Sequence, residues 1–282
     1  MGRRSWTPLL RPGQHRFFFE GVHARDFEGA PSRFEPTDAL LLAELSHWIY
    51  RRSTEAEAGS DVEPIAGAAL AEAGWREKQW AREGTGECAL IEATDRDLAV
   101  LVFKGTSRLS DWLANFDVVP SKWVGTGRVH RGFASVAEKL WEPFAEALQA
   151  HRNIFYTGHS LGAALATLTA ALHPPTGLCT FGSPRVGDEA FAESLAGVPI
   201  HRVVNHTDAV VRVPPSAAPF HYMHVGAEQK LGPHEPEAAN PNQTMDGLFG
   251  RLVYSIRQKL QPPDDLWDHA PVNYVNRLRR LR

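Results

Sequence analysis

Gly158-His159-Ser160-Leu161-Gly162 is a G-x-S-x-G sequence set between a short apolar run, Ile154-Phe155-Tyr156-Thr157, and an alanine-rich stretch from Ala163 to Leu172. This order reads as strand, sharp turn and helix, the context in which such a motif presents a serine at the end of a sheet. Few folds accommodate it. A serine on so tight a turn has strained backbone angles, and side chains beside it would strike the adjoining strand and helix, so glycines flank it. The hydroxyl then stands at the positive end of a helix, where a developing anion is stabilised.

The rest of the chain alternates strand-like and helix-like segments. Asp38 to Arg51 reads as an amphipathic helix with Leu41, Leu42, Leu45, Trp48 and Ile49 on one face. Cys88 to Glu92 and Leu98 to Phe103 read as strands around the turn Thr94-Asp95-Arg96-Asp97. Helical patterns follow at 110–116 and 132–151, then the strand before Ser160, a strand at 178–181, a helix from Asp188 and a strand at 200–205. Such alternation predicts an α/β fold with a mostly parallel central sheet and helices on both faces. Residues 1–36 show no period and are expected to form an N-terminal arm; 37–282 are expected to be a single domain. The polar stretch 226–265, with one helix near 248–260, reads as an insertion.

With 43% apolar residues the 282-residue chain can bury a large core, and a net charge of −3 gives no reason to expect a nucleic-acid partner. No run approaches the roughly 18 apolar residues of a membrane span. Two cysteines, Cys88 and Cys179, suggest neither a disulfide framework nor a metal cage. The start, Met1-Gly2-Arg3-Arg4, lacks the apolar core of a secretory signal, so a cytoplasmic location is the expectation, with leaderless export equally compatible.

A serine hydroxyl near neutral pH needs an imidazole base, and the base needs a carboxylate to fix its tautomer. In doubly wound folds carrying this turn the order along the chain is serine, acid, histidine. Asp208 leaves the carboxyl end of the strand Arg202-Val203-Val204-Asn205 and is preferred as the acid; the rival, Asp188, precedes a helix and reads more simply as its N-cap. Four later histidines remain as bases. His234 lies in a Pro-rich loop, His221 and His224 flank Tyr222-Met223 in an apolar segment, and His269 sits just before the last helix. His269 and His224 both stay open on this reasoning.

Several blocks now occur in a recognisable order: Phe103-Lys104-Gly105-Thr106-Ser107 with Asp111-Trp112, Val129-His130-Arg131-Gly132-Phe133, the Ser160 turn, Thr180-Phe181-Gly182-Ser183-Pro184-Arg185-Val186-Gly187, Arg202 to Asp208, and Asp268-His269 with Tyr274. Over roughly residues 38–278 the chain resembles the class 3 lipases, the fungal-lipase-like branch of the α/β hydrolases. The resemblance implies an α/β-hydrolase fold, a Ser160–His269–Asp208 triad, and a structural rather than catalytic His224. It implies an oxyanion hole from the amides of Leu161 and Thr106, with the Thr106 hydroxyl able to add a donor. It also implies a lid near 107–118 whose apolar residues Leu109, Trp112, Leu113 and Phe116 cover the serine and open at a lipid–water interface. A core-packed helix is the alternative for that segment. Lys104 stands where the family often has arginine, and Asn115 where it often has aspartate. The expected activity is hydrolysis of lipid-like carboxylic esters with no metal or cofactor. Phospholipase A or acyltransferase chemistry from the same acyl-enzyme is the alternative, and a non-catalytic scaffold the reading from another class.

Overall fold

A computed structural model of the chain describes residues 4–59, 63–107, 118–218, 221–232, 245–258 and 260–282. Seven strands form one sheet in the order β1-β2-β3-β6-β7-β8-β9, while β4 (Pro120–Lys122) and β5 (Arg128–His130) pair separately. β1 (Trp75–Glu83), β2 (Gly86–Ala93) and β3 (Ala99–Phe103) are antiparallel. From β3 through β6 (Ile154–His159), β7 (Gly177–Phe181), β8 (Ile200–Asn205) and β9 (Ala227–Leu231) every pairing is parallel.

The continuous apolar runs of the central strands have a simple cause: both faces of the sheet are covered, so both sets of alternating side chains are buried. Val100 and Val102 of β3 join one core cluster with Leu41, Leu45, Trp48 and Ile49 of the long helix Pro36–Ala58. Leu101 and Phe103 join a second cluster with Phe133, Leu161, Leu165 and Leu168 on the opposite face. Numbering the helices along the chain, α1 is Thr7–Leu10, α2 Pro36–Ala58, α3 Ala66–Glu72, α4 Arg131–Leu140, α5 Ala145–Gln149, α6 Leu161–Leu172 and α7 Glu189–Ser194. Beyond these lie α8 (Met245–Arg257), α9 (Asp264–Trp267) and α10 (Pro271–Arg279). α2 starts with proline at its first turn and stops at Gly59, whose φ of +60° an L side chain adopts only at a cost.

Several elements differ from the sequence reading. The helix expected over 132–151 is broken after Leu140, where Pro143 cannot donate to the helical ladder and a 3-10 turn, Glu142–Phe144, intervenes before α5. β1 was hidden by its polar sequence, Trp75-Arg76-Glu77-Lys78-Gln79-Trp80-Ala81-Arg82-Glu83; as an edge strand with an irregularity between Glu77 and Gln79 it needs only a half-buried face. The stretch read as an insertion from residue 226 opens with β9, the last strand of the sheet. The N-terminal residues contribute Phe18, Phe19, Val22 and Phe27 to the α2-side core, and Asp38 fastens them by accepting from the Glu28 and Gly29 amides at 2.7 and 2.8 Å. Cys88 and Cys179 are free and buried.

α2 and α10 share an ion pair between half-buried Arg279 and buried Glu44, Nη2 to Oε1 at 2.6 Å. Burial pushes the Glu44 carboxyl up to about 7, outweighing the Phe19 amide and the Arg279 charge. A carboxyl whose folded pKa lies above its unfolded 4.5 adds stability that is complete below pH 4.5 and is lost as pH rises through about 7. Glu44→Gln removes this titration. Its stability relative to wild type is expected to improve between pH 4.5 and 8 by up to about 3 kcal/mol, read by urea unfolding at both pH values. A difference that does not change with pH would contradict the assignment.

Candidate active site

β6 delivers its chain to Ser160 with φ 60° and ψ −124°, and α6 leaves it at once. The strand–turn–helix reading of the motif holds in detail. A Cβ on Gly158 would lie 2.5 Å from the Gly162 carbonyl, and one on Gly162 would strike the Phe103 oxygen and approach the Lys104 carbonyl carbon to 2.8 Å. Neither approach is tolerated by a side chain, so helix α6 can sit this close to β6 and β3 only with glycines there.

The structure brings the three expected side chains together. The Nε2 of His269 lies 2.9 Å from Ser160 Oγ, and its Nδ1 lies 2.8 and 3.1 Å from the two oxygens of Asp208. Asp208 leaves β8 through His206, held at φ 40°, and Thr207. Its Oδ1 also accepts from the Val210 amide at 2.9 Å and its Oδ2 from Tyr274 Oη at 2.6 Å. Burial alone would raise the Asp208 carboxyl, but the His269 imidazole and the hydrogen bonds from His269, Tyr274 and Val210 hold it below its ordinary value. An ionised carboxylate only accepts, so Nδ1 of His269 carries a proton, and in the neutral ring Nε2 is bare. The Ser160 hydroxyl therefore donates to Nε2. Gly182, at φ 60°, leaves room for the cluster: a Cβ there would lie 2.8 Å from Asp208 Oδ2 and 3.1 Å from His269 Cε1.

The loop carrying His269 is clamped to the loop carrying Asp208. Asp268, buried, accepts from the Thr207 amide at 3.1 Å, the Thr207 hydroxyl at 2.8 Å and His206 Nδ1 at 3.0 Å. Asn205 Nδ2 donates to the Asp268 carbonyl at 2.7 Å, and the Asn205 amide donates to Tyr274 Oη at 3.2 Å. Asp268 and Tyr274 were visible in sequence only as neighbours of His269; their roles needed the fold.

The rival residues lie elsewhere. His224 Nε2 donates to the Val211 carbonyl at 2.8 Å, and burial with Arg202 and Arg185 pushes its imidazole well down, so it is a packed neutral histidine. Asp188 caps α7, accepting from the Phe191 amide at 3.0 Å. His221 is exposed, with φ 50°, and His234 lies outside the described residues. The loop after β3 reaches the serine: a Cβ on Gly105 would lie 3.3 Å from Ser160 Cβ, which brings the neighbouring Thr106 beside the Ser160 turn. Lys104 is buried, with Nζ 2.5 Å from Glu87 Oε1 and 2.7 Å from Ser53 Oγ. Leu109, Trp112, Leu113, Asn115 and Phe116 fall outside the described residues. Among the described residues no group of acidic, histidine or cysteine side chains is placed to hold a metal ion, and no helix is long and apolar enough to cross a membrane.

A largely parallel sheet whose central strand turns through a left-handed serine into a helix, with the carboxylate supplied from a later strand end and the imidazole from the loop between α9 and α10, is the α/β-hydrolase fold. Over residues 100–218 the chain matches the family model described as lipase (class 3). It is 34% identical over 169 residues to a lipase of Rhizomucor miehei, covering 53% of this chain and 46% of that one. The solved structure of the Rhizomucor miehei triacylglyceride lipase superposes with a TM-score of 0.57 at 26% identity, over 69% of this chain and 79% of that one. Similarity extends to a secreted mono- and diacylglycerol lipase of Fusarium solani (31% identical; 53% of this chain, 48% of that one). It extends also to phospholipase A1-II 3 of Oryza sativa subsp. japonica (32% identical; 54% of this chain, 47% of that one). The chain thus spans about half the length of the curated relatives it matches.

Proposed function

We propose that the protein is a serine carboxylic-ester hydrolase acting on lipid-like esters, acylglycerols or short-to-medium acyl esters, through an acyl-enzyme on Ser160. One observation carries the reading: Ser160 Oγ, the two nitrogens of His269 and the Asp208 carboxylate form one continuous hydrogen-bonded line. His269 Nε2 takes the Ser160 proton as Oγ attacks the ester carbonyl, and Asp208 stabilises the imidazolium that forms. The amides of Leu161 and Thr106 are the donors assigned to the oxyanion, each worth roughly 3 kcal/mol in the transition state. His269 then protonates the leaving alcohol. Water, deprotonated by the same nitrogen, releases the acid.

Lipid-like substrates are supported by the family and by the names of its relatives. Ser160 is only 2% exposed, so an ester reaches it after covering chain moves. The segment 107–118, with Leu109, Trp112, Leu113 and Phe116, is assigned that role, making transient contact with a lipid–water interface. The phospholipase A reading uses the same acyl-enzyme and draws on the Oryza relative. A cytoplasmic location finds no support among the relatives, one of which is named as secreted.

Initial rates on p-nitrophenyl esters of increasing chain length, a triacylglycerol emulsion and phosphatidylcholine vesicles test the proposal. Hydrolysis of the simple esters and the acylglycerol is expected, with a rise in rate as an ester passes its solubility limit. Phosphatidylcholine as the favoured substrate would shift the reading to phospholipase, a flat response at the solubility limit would remove the lid, and inertness toward all would overturn the proposal.

A further inference from the structure

Three of the hydroxyls on α2, those of Ser46, Tyr50 and Ser53, lie at spacings of four and three residues along its buried face. Residues so spaced share one helix face. Here all three reach the chain around the nucleophile. The Ser46 hydroxyl donates to Thr157 Oγ1 in β6 at 3.0 Å, because Thr157 donates its own proton to the Cys179 carbonyl at 2.8 Å. Ser53 Oγ accepts from Lys104 Nζ, just after β3. Tyr50 lies between them, with Oη 3.0 Å from Nδ1 of His159, the residue preceding Ser160.

His159 has one possible arrangement of protons. Its Nε2 lies 2.7 Å from the backbone oxygen of His269, and a carbonyl only accepts, so Nε2 carries the hydrogen. Burial and the neighbouring His269 push the His159 imidazole down to about 3, so the ring is neutral and Nδ1 is a bare acceptor. Tyr50 therefore donates to it. Burial pushes the Tyr50 phenol far above its ordinary range, so it keeps its proton, and the Gly105 amide acts on the same oxygen. Gly105 could carry no side chain, since a Cβ there would collide with Tyr50 Oη and lie 2.5 Å from the His159 carbonyl oxygen.

We propose that Tyr50 and His159 are positioning residues for acyl transfer: a one-way chain from Gly105 through the Tyr50 hydroxyl and the His159 ring to the His269 backbone holds the oxyanion loop and the base in one frame. The proposal rests on the esterase reading above, because it assigns Thr106, next to Gly105, and His269 their catalytic tasks. The His159 and His269 rings also touch, centroids 4.6 Å apart, so a neutral His159 leaves His269 free to take the serine proton without facing a second cation. Neither residue reaches the substrate. Both act through where they hold the groups that do.

The test compares wild type, Tyr50→Phe, His159→Leu, His159→Gln and Ser160→Ala on p-nitrophenyl butyrate well below each melting temperature. Small displacements of reacting groups act on the chemical step, so Tyr50→Phe and His159→Leu are expected to lose about tenfold or more in kcat with KM within about twofold of wild type. His159→Gln supplies an amide N–H toward the His269 carbonyl and should recover at least about threefold over His159→Leu, a rescue that packing alone would not produce. Unchanged kcat in Tyr50→Phe, or glutamine no better than leucine, would overturn the proposal. Should His159→Leu fail to fold, Tyr50→Phe, which deletes one oxygen, decides. Ser160→Ala separates the two readings: activity surviving there refutes the esterase reading itself, whereas loss there with full activity in Tyr50→Phe refutes only the positioning chain.

Discussion

Ser160→Ala is expected to lower kcat on a p-nitrophenyl ester by about 10⁵-fold or more, with a melting temperature within about 3 °C of wild type. The two halves of this expectation have separate origins. Ser160 Oγ makes no capping bond to α6, and its polar contact is His269 Nε2 at 2.9 Å, so the hydroxyl holds no part of the fold together. Alanine tolerates φ 60° no worse than serine, and the turn is already held by the Ser160 amide donating to the Phe181 carbonyl at 2.9 Å and by the close approach of Gly158 to Gly162. What disappears is the covalent route. The remaining rate is what an oxyanion site and bound water achieve without an acyl-enzyme. Initial rates beside a thermal melt measure both, and activity within tenfold of wild type would end the acyl-enzyme account.

Asp208→Asn should cost about 10⁴-fold in kcat although asparagine has nearly the same shape. The aspartate does three things at once: it accepts from His269 Nδ1, from Tyr274 Oη and from the Val210 amide. An asparagine that keeps its oxygen at the Oδ1 position, accepting from the Val210 amide, places its NH2 at the Oδ2 position, 2.8 Å from His269 Nδ1. Nδ1 must then give up its proton, Nε2 becomes the protonated nitrogen, and it can no longer accept from Ser160. The variant keeps the geometry and loses the tautomer. A kcat within tenfold of wild type would mean that Asp208 does not set the tautomer of His269.

Ser160 and Asp208 were legible in the sequence because they sit just beyond strand ends, and strand ends can be read. The glycines around Ser160 announce a close strand–helix contact, and Asp208 comes just after Arg202-Val203-Val204-Asn205, which reads as a strand. Asp188 was separable because a carboxylate just before a helix has a commoner use as a cap, and it caps α7. His269 and His224 could not be told apart by residue logic alone. Both sit beside apolar residues, and what distinguishes them is a carbonyl 2.8 Å from His224 and a serine 2.9 Å from His269, the second a contact between segments far apart in the chain.

The illegible parts share a cause. Tyr50 lies over a hundred residues before His159, and a tyrosine on an apolar helix face reads as core until the strand beside it is known. The polar strands β1 and β9 escaped notice because they close the two edges of the sheet, where half of each strand faces water and the apolar signal halves with it. The break between α4 and α5 was written in Pro143, whose missing amide outweighs a helical pattern that otherwise runs on.

Reaction with a fluorophosphonate ester, followed by peptide mass spectrometry, examines the acyl-enzyme at its point of attachment. The account predicts a single phosphonyl adduct on Ser160, formed in step with the loss of esterase activity, slowed severely in His269→Ala and absent from Ser160→Ala. An adduct on another residue that tracks the loss of activity, or full ester hydrolysis by protein in which Ser160 is completely modified, would contradict it.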